Sequence, residues 1–266
     1  MSSVKIYKPS WRNIRKYGIY IRYFIEYLKN RDFKSLLVAI NYVFFHRLPK
    51  HDYETKSELG RFRIRKSSTD FQFINYAYEK SIKDYLKRNL GSFDVFIDLG
   101  ACIGEYCIWL AKEGKNCIAV EPVNYKAVLN NVAINKLEDK IKVFACGVGD
   151  KKERAFFYIP DGVTSSSHID NDSGNEPNAE IDTLDNIMKA VSIPVSSRVV
   201  IKLDVEGMEV EAINGAKQFI SNCQNLRVIY EHFIEDNYRN DRSLLEICDF
   251  SFENLDDVNR IATKKV

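Results

Sequence analysis

Two short stretches of this chain carry acids at the ends of apolar runs, and chemistry is most legible there. In the first, Val95-Phe96-Ile97-Asp98-Leu99-Gly100-Ala101-Cys102-Ile103-Gly104-Glu105 leads into an amphipathic segment. An apolar run that ends in an acid, passes a glycine turn and enters a helical pattern reads as strand, tight turn and helix, the opening unit of a nucleotide-binding α/β sheet. Gly100 and Gly104 let the backbone turn sharply and let a ligand approach where a Cβ would obstruct it. Glu121 follows the next apolar run about twenty positions later, where an acid can hydrogen-bond ribose hydroxyls.

Two ligands compete for such a turn. A dinucleotide needs glycines at its first, third and sixth positions so that the pyrophosphate can sit on the helix N-terminus. Counted from Gly100, the third and sixth positions are Cys102 and Glu105, and Glu105 would bring negative charge to a phosphate. S-adenosylmethionine has no phosphate, and Asp98 at the strand tip can face its ammonium directly or through water. The second stretch, Val199-Val200-Ile201-Lys202-Leu203-Asp204-Val205-Glu206-Gly207-Met208-Glu209, again runs from β-branched residues through acids into a helix, with Met208, Ala212, Ile213 and Ala216 facing inward. In a doubly wound sheet the fourth strand lies beside the first, so Asp204 and Glu206 are expected over the same crevice as Asp98.

Positioning these groups requires the rest of the pattern. A helix is expected over 71–90, broken at Gly91-Ser92, with further helices at 125–135 and 184–191, the last capped by Thr183. Asn131 and Asn135 are expected to cap or end their helix. Strands are expected at 141–145 and 226–230, and the 146–150 turn beginning at Cys146 should line the adenine edge of the crevice. Residues 151–159 read as a hairpin arm. They are followed by a long polar loop containing Ser165, Ser166, Ser167 and His168, of the kind that is either functional or mobile. A helix at 240–247 and strands at 250–255 and 258–263 would complete the sheet with an antiparallel hairpin.

The 266 residues suffice for one large domain and an appendage. Net charge is only +2, but the first 66 residues hold 16 Lys/Arg against 5 Asp/Glu and the remainder 23 against 32. The basic part is also aromatic, and its apolar residues recur at helical spacing over 14–28 and 33–45. We therefore expect a basic helical extension, 1–66, and a catalytic domain, 67–266. The helical spacing favours an extension whose Tyr20, Phe24 and Tyr27 pack onto the catalytic domain or a second subunit. A peripheral membrane contact is the competing reading, and no recognisable nucleic-acid module accompanies the charge. Six scattered cysteines lack paired metal spacing and read as buried thiols. No apolar stretch is long enough to span a bilayer or form a signal core, so the expectation is a cytoplasmic protein.

Taken together, Ile97-Asp98-Leu99-Gly100-Ala101-Cys102-Ile103-Gly104, Glu121-Pro122, Asn131 with Asn135, Thr183-Leu184-Asp185, and Ile201 through Glu209 followed by Gly215-Ala216 resemble the FkbM-type methyltransferases, over roughly residues 71–247. Cys102 departs from the asparagine usual in that family. The resemblance implies a class I α/β fold, S-adenosylmethionine as cofactor, and O-methylation of a sugar or glycoconjugate. Carried over, it implies that Asp98, Gly100, Gly104 and Glu121 bind the cofactor and that Lys202, Asp204 and Glu206 border the reacting centre; Ala101, Pro122, Cys146 and Asp204 are further expected at the cofactor, and Ser165, Ser166, Ser167 and Glu206 at the acceptor. An alcohol must lose its proton to become a good nucleophile, and Asp204, Glu231 or His232 is placed to take it. Alternatively Asp204 and Glu231 hold Mg2+, which acidifies the hydroxyl. An NAD-dependent oxidoreductase and a non-catalytic scaffold are the competing functions.

Overall fold

The structure is a computed structural model, and it describes residues 16–158, 168–169, 175–191, 193–194, 196–232 and 238–265. The chain forms two compact units, residues 1–78 and 79–266, so the division falls after Tyr78 and not at the change of composition near residue 67.

In the first unit, α1 (Tyr17–Lys29) and α2 (Phe33–Phe45) are joined by a short turn, and the Asp32 carboxylate caps α2 by accepting the Ser35 N–H at 3.0 Å. A hairpin of β1 (Tyr53–Lys56) and β2 (Arg61–Ile64) follows, then the short α3 (Asp70–Phe73). The extension is therefore not purely helical: Arg61-Phe62-Arg63-Ile64 alternates exposed charge with fully buried Phe62 and Ile64, a two-residue period that a helix cannot use. Tyr27 is buried inside this unit, its hydroxyl donating to the Phe71 carbonyl at 2.6 Å. Tyr42 packs edge-on against the Phe71 ring.

The second unit begins with α4 (Lys80–Arg88). The single helix expected over 71–90 is broken. Glu79 adopts a left-handed backbone with φ of 46°, and the Asn75 side chain accepts the Ala77 N–H, closing a turn between α3 and α4. Next come β3 (Val95–Leu99), α5 (Glu105–Lys112), β4 (Asn116–Val120), α6 (Tyr125–Asn135) and β5 (Ile141–Phe144). All five β3 residues are buried, as a strand covered on both faces requires. Short strands β6 (Gly147–Val148), β7 (Glu153–Ala155), β8 (Phe157–Tyr158), β9 (His168–Ile169) and β10 (Ala179–Asp182) lead to α7 (Leu184–Lys189). The expected 146–150 turn is thus partly a strand. The chain then returns through β11 (Arg198–Leu203), α8 (Glu209–Asn214), α9 (Lys217–Asn222), β12 (Asn225–Glu231), α10 (Arg239–Leu245), β13 (Phe250–Asn254) and β14 (Asn259–Lys264).

The main sheet has the order β5-β4-β3-β11-β12-β14-β13, parallel except where β14 runs antiparallel to both neighbours. This is the mostly parallel class I methyltransferase sheet with its antiparallel C-terminal hairpin. The order reverses between β4 and β11, so the chain leaves the ends of β3 in opposite directions and opens a crevice there. A small sheet, β6-β10-β7, buries Ala155 and Ile181 beside Phe157, with Val123 and Met208 packed against them. It buttresses the segments that follow Glu121 and Asp204.

Candidate active site

Asp98, Glu121, Asp204 and Glu231 stand at or just beyond the C-terminal ends of four adjacent strands, β3, β4, β11 and β12. The pairing of β3 with β11 sets Lys202 opposite Asp98. Gly100 has φ of 91°, and a Cβ there would lie 1.8 Å from the Asp204 carbonyl oxygen. The glycine is thus needed for the approach of two strand ends as well as for ligand access. Gly104, with φ of 82°, leaves room for Val128 of α6. Between them Cys102 takes a left-handed conformation with φ of 48°, a strained place for a residue other than glycine or asparagine.

Glu121 holds this turn together. One carboxylate oxygen accepts the Cys102 N–H at 2.9 Å, and the other accepts those of Val123 and Asn124 at 2.9 and 2.8 Å. Ala101 is buried in the turn, its N–H bonded to the Val120 carbonyl, and Pro122 is half-buried beside Glu121. Asn131 does not cap its helix; it is fully buried and donates to the Ile103 carbonyl at 3.0 Å, tying α6 to the turn. Asn135 donates to the Asn131 carbonyl near the end of α6. Cys146 packs against the main core, and burial pushes its thiol up to about 11, so it is inert at neutral pH.

Beneath the crevice, Lys202 and Asp204, both expected at the site, join a charged cluster with Glu79, Lys83 and Tyr106, which sequence reasoning missed. The Tyr106 ring, fully buried at the start of α5, has the Lys83 ammonium 4.9 Å from its centre and that of Lys202 at 5.3 Å. The Tyr106 hydroxyl donates to Glu79 at 2.8 Å. The Lys202 ammonium bonds the Asp204 carboxylate at 2.7 Å and lies 4.0 Å from that of Glu79. Burial lowers Lys83 to about 8, against the opposing pull of Glu79 and Glu105. Lys202, although buried, is held cationic by Asp204, Glu79 and Asp98.

Two carboxylates in the cluster are left short of partners. Asp98 receives the Cys107 thiol at 3.9 Å on one oxygen, while its Oδ1 has no hydrogen-bond partner. Glu105, at the first turn of α5, has an unpartnered Oε2. Burial, reinforced by neighbouring acids, raises Asp98 to about 7 and Glu105 to about 8. Buried polar atoms are rarely left unpaired without reason. Orphaned carboxylate oxygens beside a glycine turn fit a ligand that brings positive charge and hydroxyl donors, as S-adenosylmethionine does.

Glu206 lies on the exposed rim of the site with φ of 51°, ahead of Gly207. Glu231 is half-buried, and burial, with Asp204 nearby, raises it to about 7. The His232 ring packs against that of Tyr238, centroid to centroid 4.7 Å, and the His232 backbone N–H donates to the Val258 carbonyl. Ser165, Ser166 and Ser167 lie outside the described residues, and the His168 side chain is likewise not described. Among the described residues, no group of three or more His, Cys, Asp or Glu is arranged to hold a metal ion. Nor does any helix among them have the length and apolarity to cross a membrane.

Among solved structures, the chain is similar to a putative O-methyltransferase from Klebsiella pneumoniae, at 8% identity and a TM-score of 0.43, covering 70% of this chain and 79% of that one. It is also similar to a putative rRNA methylase from Clostridium thermocellum, at 9% identity and a TM-score of 0.45, covering 70% and 96%. A tRNA (uracil-54, C5)-methyltransferase from Pyrococcus abyssi, in complex with S-adenosyl-L-homocysteine, matches at 12% identity and a TM-score of 0.42, covering 82% and 45%. No curated protein sequence matches the chain. The methyltransferase FkbM domain does match, over residues 98–257, from the acid at the tip of β3 to the turn before β14. With more than half its length in that match, the chain belongs to the FkbM methyltransferase family and is an S-adenosylmethionine-dependent methyltransferase.

Proposed function

We propose that the protein O-methylates a hydroxyl of a carbohydrate or glycoconjugate. The observation that carries the methyl-transfer site is the pair of buried carboxylates with unpartnered oxygens, Asp98 and Glu105, under a glycine turn clasped by Glu121. When bound, S-adenosylmethionine supplies an electrophilic methyl group and leaves as a neutral thioether. Asp98 and Glu105 would meet its positive charge, and Glu121 its ribose hydroxyls, with Gly100, Ala101, Gly104, Pro122 and Cys146 forming the surrounding wall.

The choice of an oxygen acceptor rests on the acids at the other end of the crevice. Glu231, raised to about 7, is suited to take a proton at neutral pH. Asp204 is held in place by the Lys202 ammonium, which orients its second oxygen for the same task. Lys202 is then a positioning residue, and His232, turned onto Tyr238, is the weaker base candidate. Mg2+ fits less well: Asp204 Oδ2 is already bound by an ammonium, and the two acids have no third ligand among the described residues. The sugar class is supported by the family resemblance, as is the place of Glu206 near the acceptor; the 165–167 serines are assigned to the acceptor from the polar character of their loop. An NAD-dependent reaction is disfavoured by the turn itself, which has Cys102 and Glu105 where the dinucleotide pattern needs glycines.

The test is release of S-adenosylhomocysteine from the purified protein in the presence of mono- and oligosaccharide acceptors, with the methyl position read by mass spectrometry. A methyl ether on a sugar is the expected product. Methylation of only nitrogen or carbon acceptors would overturn the oxygen assignment, and no methyl release with any acceptor, despite tight cofactor binding, would favour the scaffold.

A further inference from the structure

Thirteen large apolar side chains are exposed among the described residues, and eight of them fall on the 29 residues of α1, α2 and the turn between them. On α1 these include Ile21, Ile25 and Leu28, spaced as one helical stripe; on α2 they include Phe33, Leu37 and Phe45, which are 59%, 61% and 62% exposed. The two helices also bury a face, since Tyr20, Tyr27, Ala39 and Val43 are inside the unit. Both helices are therefore apolar on the face that a water-facing helix keeps polar.

The charges around that face have one sign. Arg22, Lys29, Arg31 and Lys34 are exposed. The acids between residues 16 and 47 are Glu26 and Asp32, and neither is exposed: Glu26 accepts from Asn30 at 2.7 Å, and Asp32 caps α2. At 1.5 Å per residue each 13-residue helix is about 20 Å long, too short to cross a hydrocarbon core of about 30 Å but able to lie in its interface.

We infer that the α1–α2 face docks on an anionic lipid bilayer, with Ile21, Ile25, Leu28, Phe33, Leu37 and Phe45 entering the acyl boundary and the basic residues meeting the headgroups. Charge decides between occupants of this face. A second copy would set the same basic side chains against each other in a symmetric contact, whereas an anionic surface neutralises all of them. Insertion and charge together supply the two signals that stable attachment needs. The surface lies in the first unit, and the inference stands whether or not the proposed acceptor is a sugar.

The test uses the full chain, sedimented with phosphatidylcholine vesicles that either contain or lack phosphatidylserine, at low and high salt. The expected result is binding to the anionic vesicles that weakens with salt, and little binding to the neutral ones. Lys29→Glu/Lys34→Glu should weaken it by about 25-fold or more, taking roughly fivefold for each basic residue near the surface. Ile25→Asp and Leu37→Asp, both at exposed positions, should abolish sedimentation while leaving the circular dichroism and S-adenosylmethionine affinity of the intact protein unchanged. No vesicle binding by the unsubstituted chain would overturn the inference, as would binding indifferent to Ile25→Asp. A dimer that Ile25→Asp splits would assign the face to a second copy, and a loss of thermal stability without any vesicle effect would assign it to intramolecular packing; either result overturns the bilayer.

Discussion

Replacing Asp98 with asparagine should make the ligand-free protein more stable and a poorer binder of S-adenosylmethionine. In the folded protein this carboxyl is displaced from 3.8 to about 7, chiefly by burial, with Asp204, Glu79 and Glu121 adding to it and Lys202 opposing. At 1.36 kcal/mol per pH unit, keeping it ionised above pH 7 costs the fold on the order of 4 kcal/mol. Asparagine removes that cost but leaves a buried amide short of partners, a penalty of about 1–3 kcal/mol. The net gain above pH 7 is then roughly 1–3 kcal/mol, or about 2–4 °C in Tm for each kcal/mol. The sign of the pH dependence follows from where the proton sits. Between pH 3.8 and about 7 the folded state binds a proton that the unfolded state has lost, so the wild-type protein loses stability as pH rises through that window and is level above it. Near pH 4 only the amide penalty remains, so Asp98→Asn should be the less stable protein there; it should overtake wild type as pH rises toward neutrality, and its advantage should then stop growing. Denaturant unfolding of both proteins across that range, with calorimetric titration of the cofactor at pH 7.5, tests both halves. A stability difference that does not change with pH would refute the burial argument, and an unchanged cofactor affinity would remove Asp98 from the site.

Glu121→Ala should lower cofactor affinity at least about tenfold, by loss of charge-assisted bonds worth roughly 1.5–3 kcal/mol. It should also loosen the turn, because the Cys102, Val123 and Asn124 N–H groups lose their acceptor; titration beside a thermal melt separates the two effects, and an unchanged dissociation constant in a folded variant would refute the assignment. Asp204→Asn should reduce kcat by about 100-fold or more while changing cofactor affinity little, and equal losses in both would make it a cofactor ligand. In the same assay, activity that a chelator abolishes and magnesium restores would reinstate the metal. Gly100→Ala should prevent stable folding of the second unit, since its Cβ would fall 1.8 Å from the Asp204 carbonyl oxygen; a soluble variant with wild-type circular dichroism and Tm would contradict that geometry.

The sequence alone placed the acids at the strand ends. The apolar runs starting at Val95 and Val199 read as covered strands, and a strand followed by a helix in such a sheet puts the residue at its tip over the crevice. The family was legible for the same reason, because the turn glycines and the acids are local in sequence. The break at Glu79 was not legible, since Phe71, Phe73, Ile74 and Tyr76 keep helical spacing right up to it and the left-handed backbone at Glu79 leaves no mark in residue type. Nor was the hairpin of the first unit, whose two four-residue strands are too short for their alternation to stand out against the charge. The meeting of Lys83, Glu105, Tyr106 and Glu79 was decided only by tertiary packing. Lys83 and Tyr106 read in sequence as ordinary residues of their helices, Glu79 as one more residue of the helix expected over 71–90 and Glu105 only as a charge unwelcome to a phosphate; the shifted protonation of Lys83 and Glu105 comes from burial and from partners on other elements. Gly100 divides along the same line: its residue type was predictable from the turn, but the chain it must admit, the Asp204 carbonyl from a strand a hundred residues away, belongs to the fold.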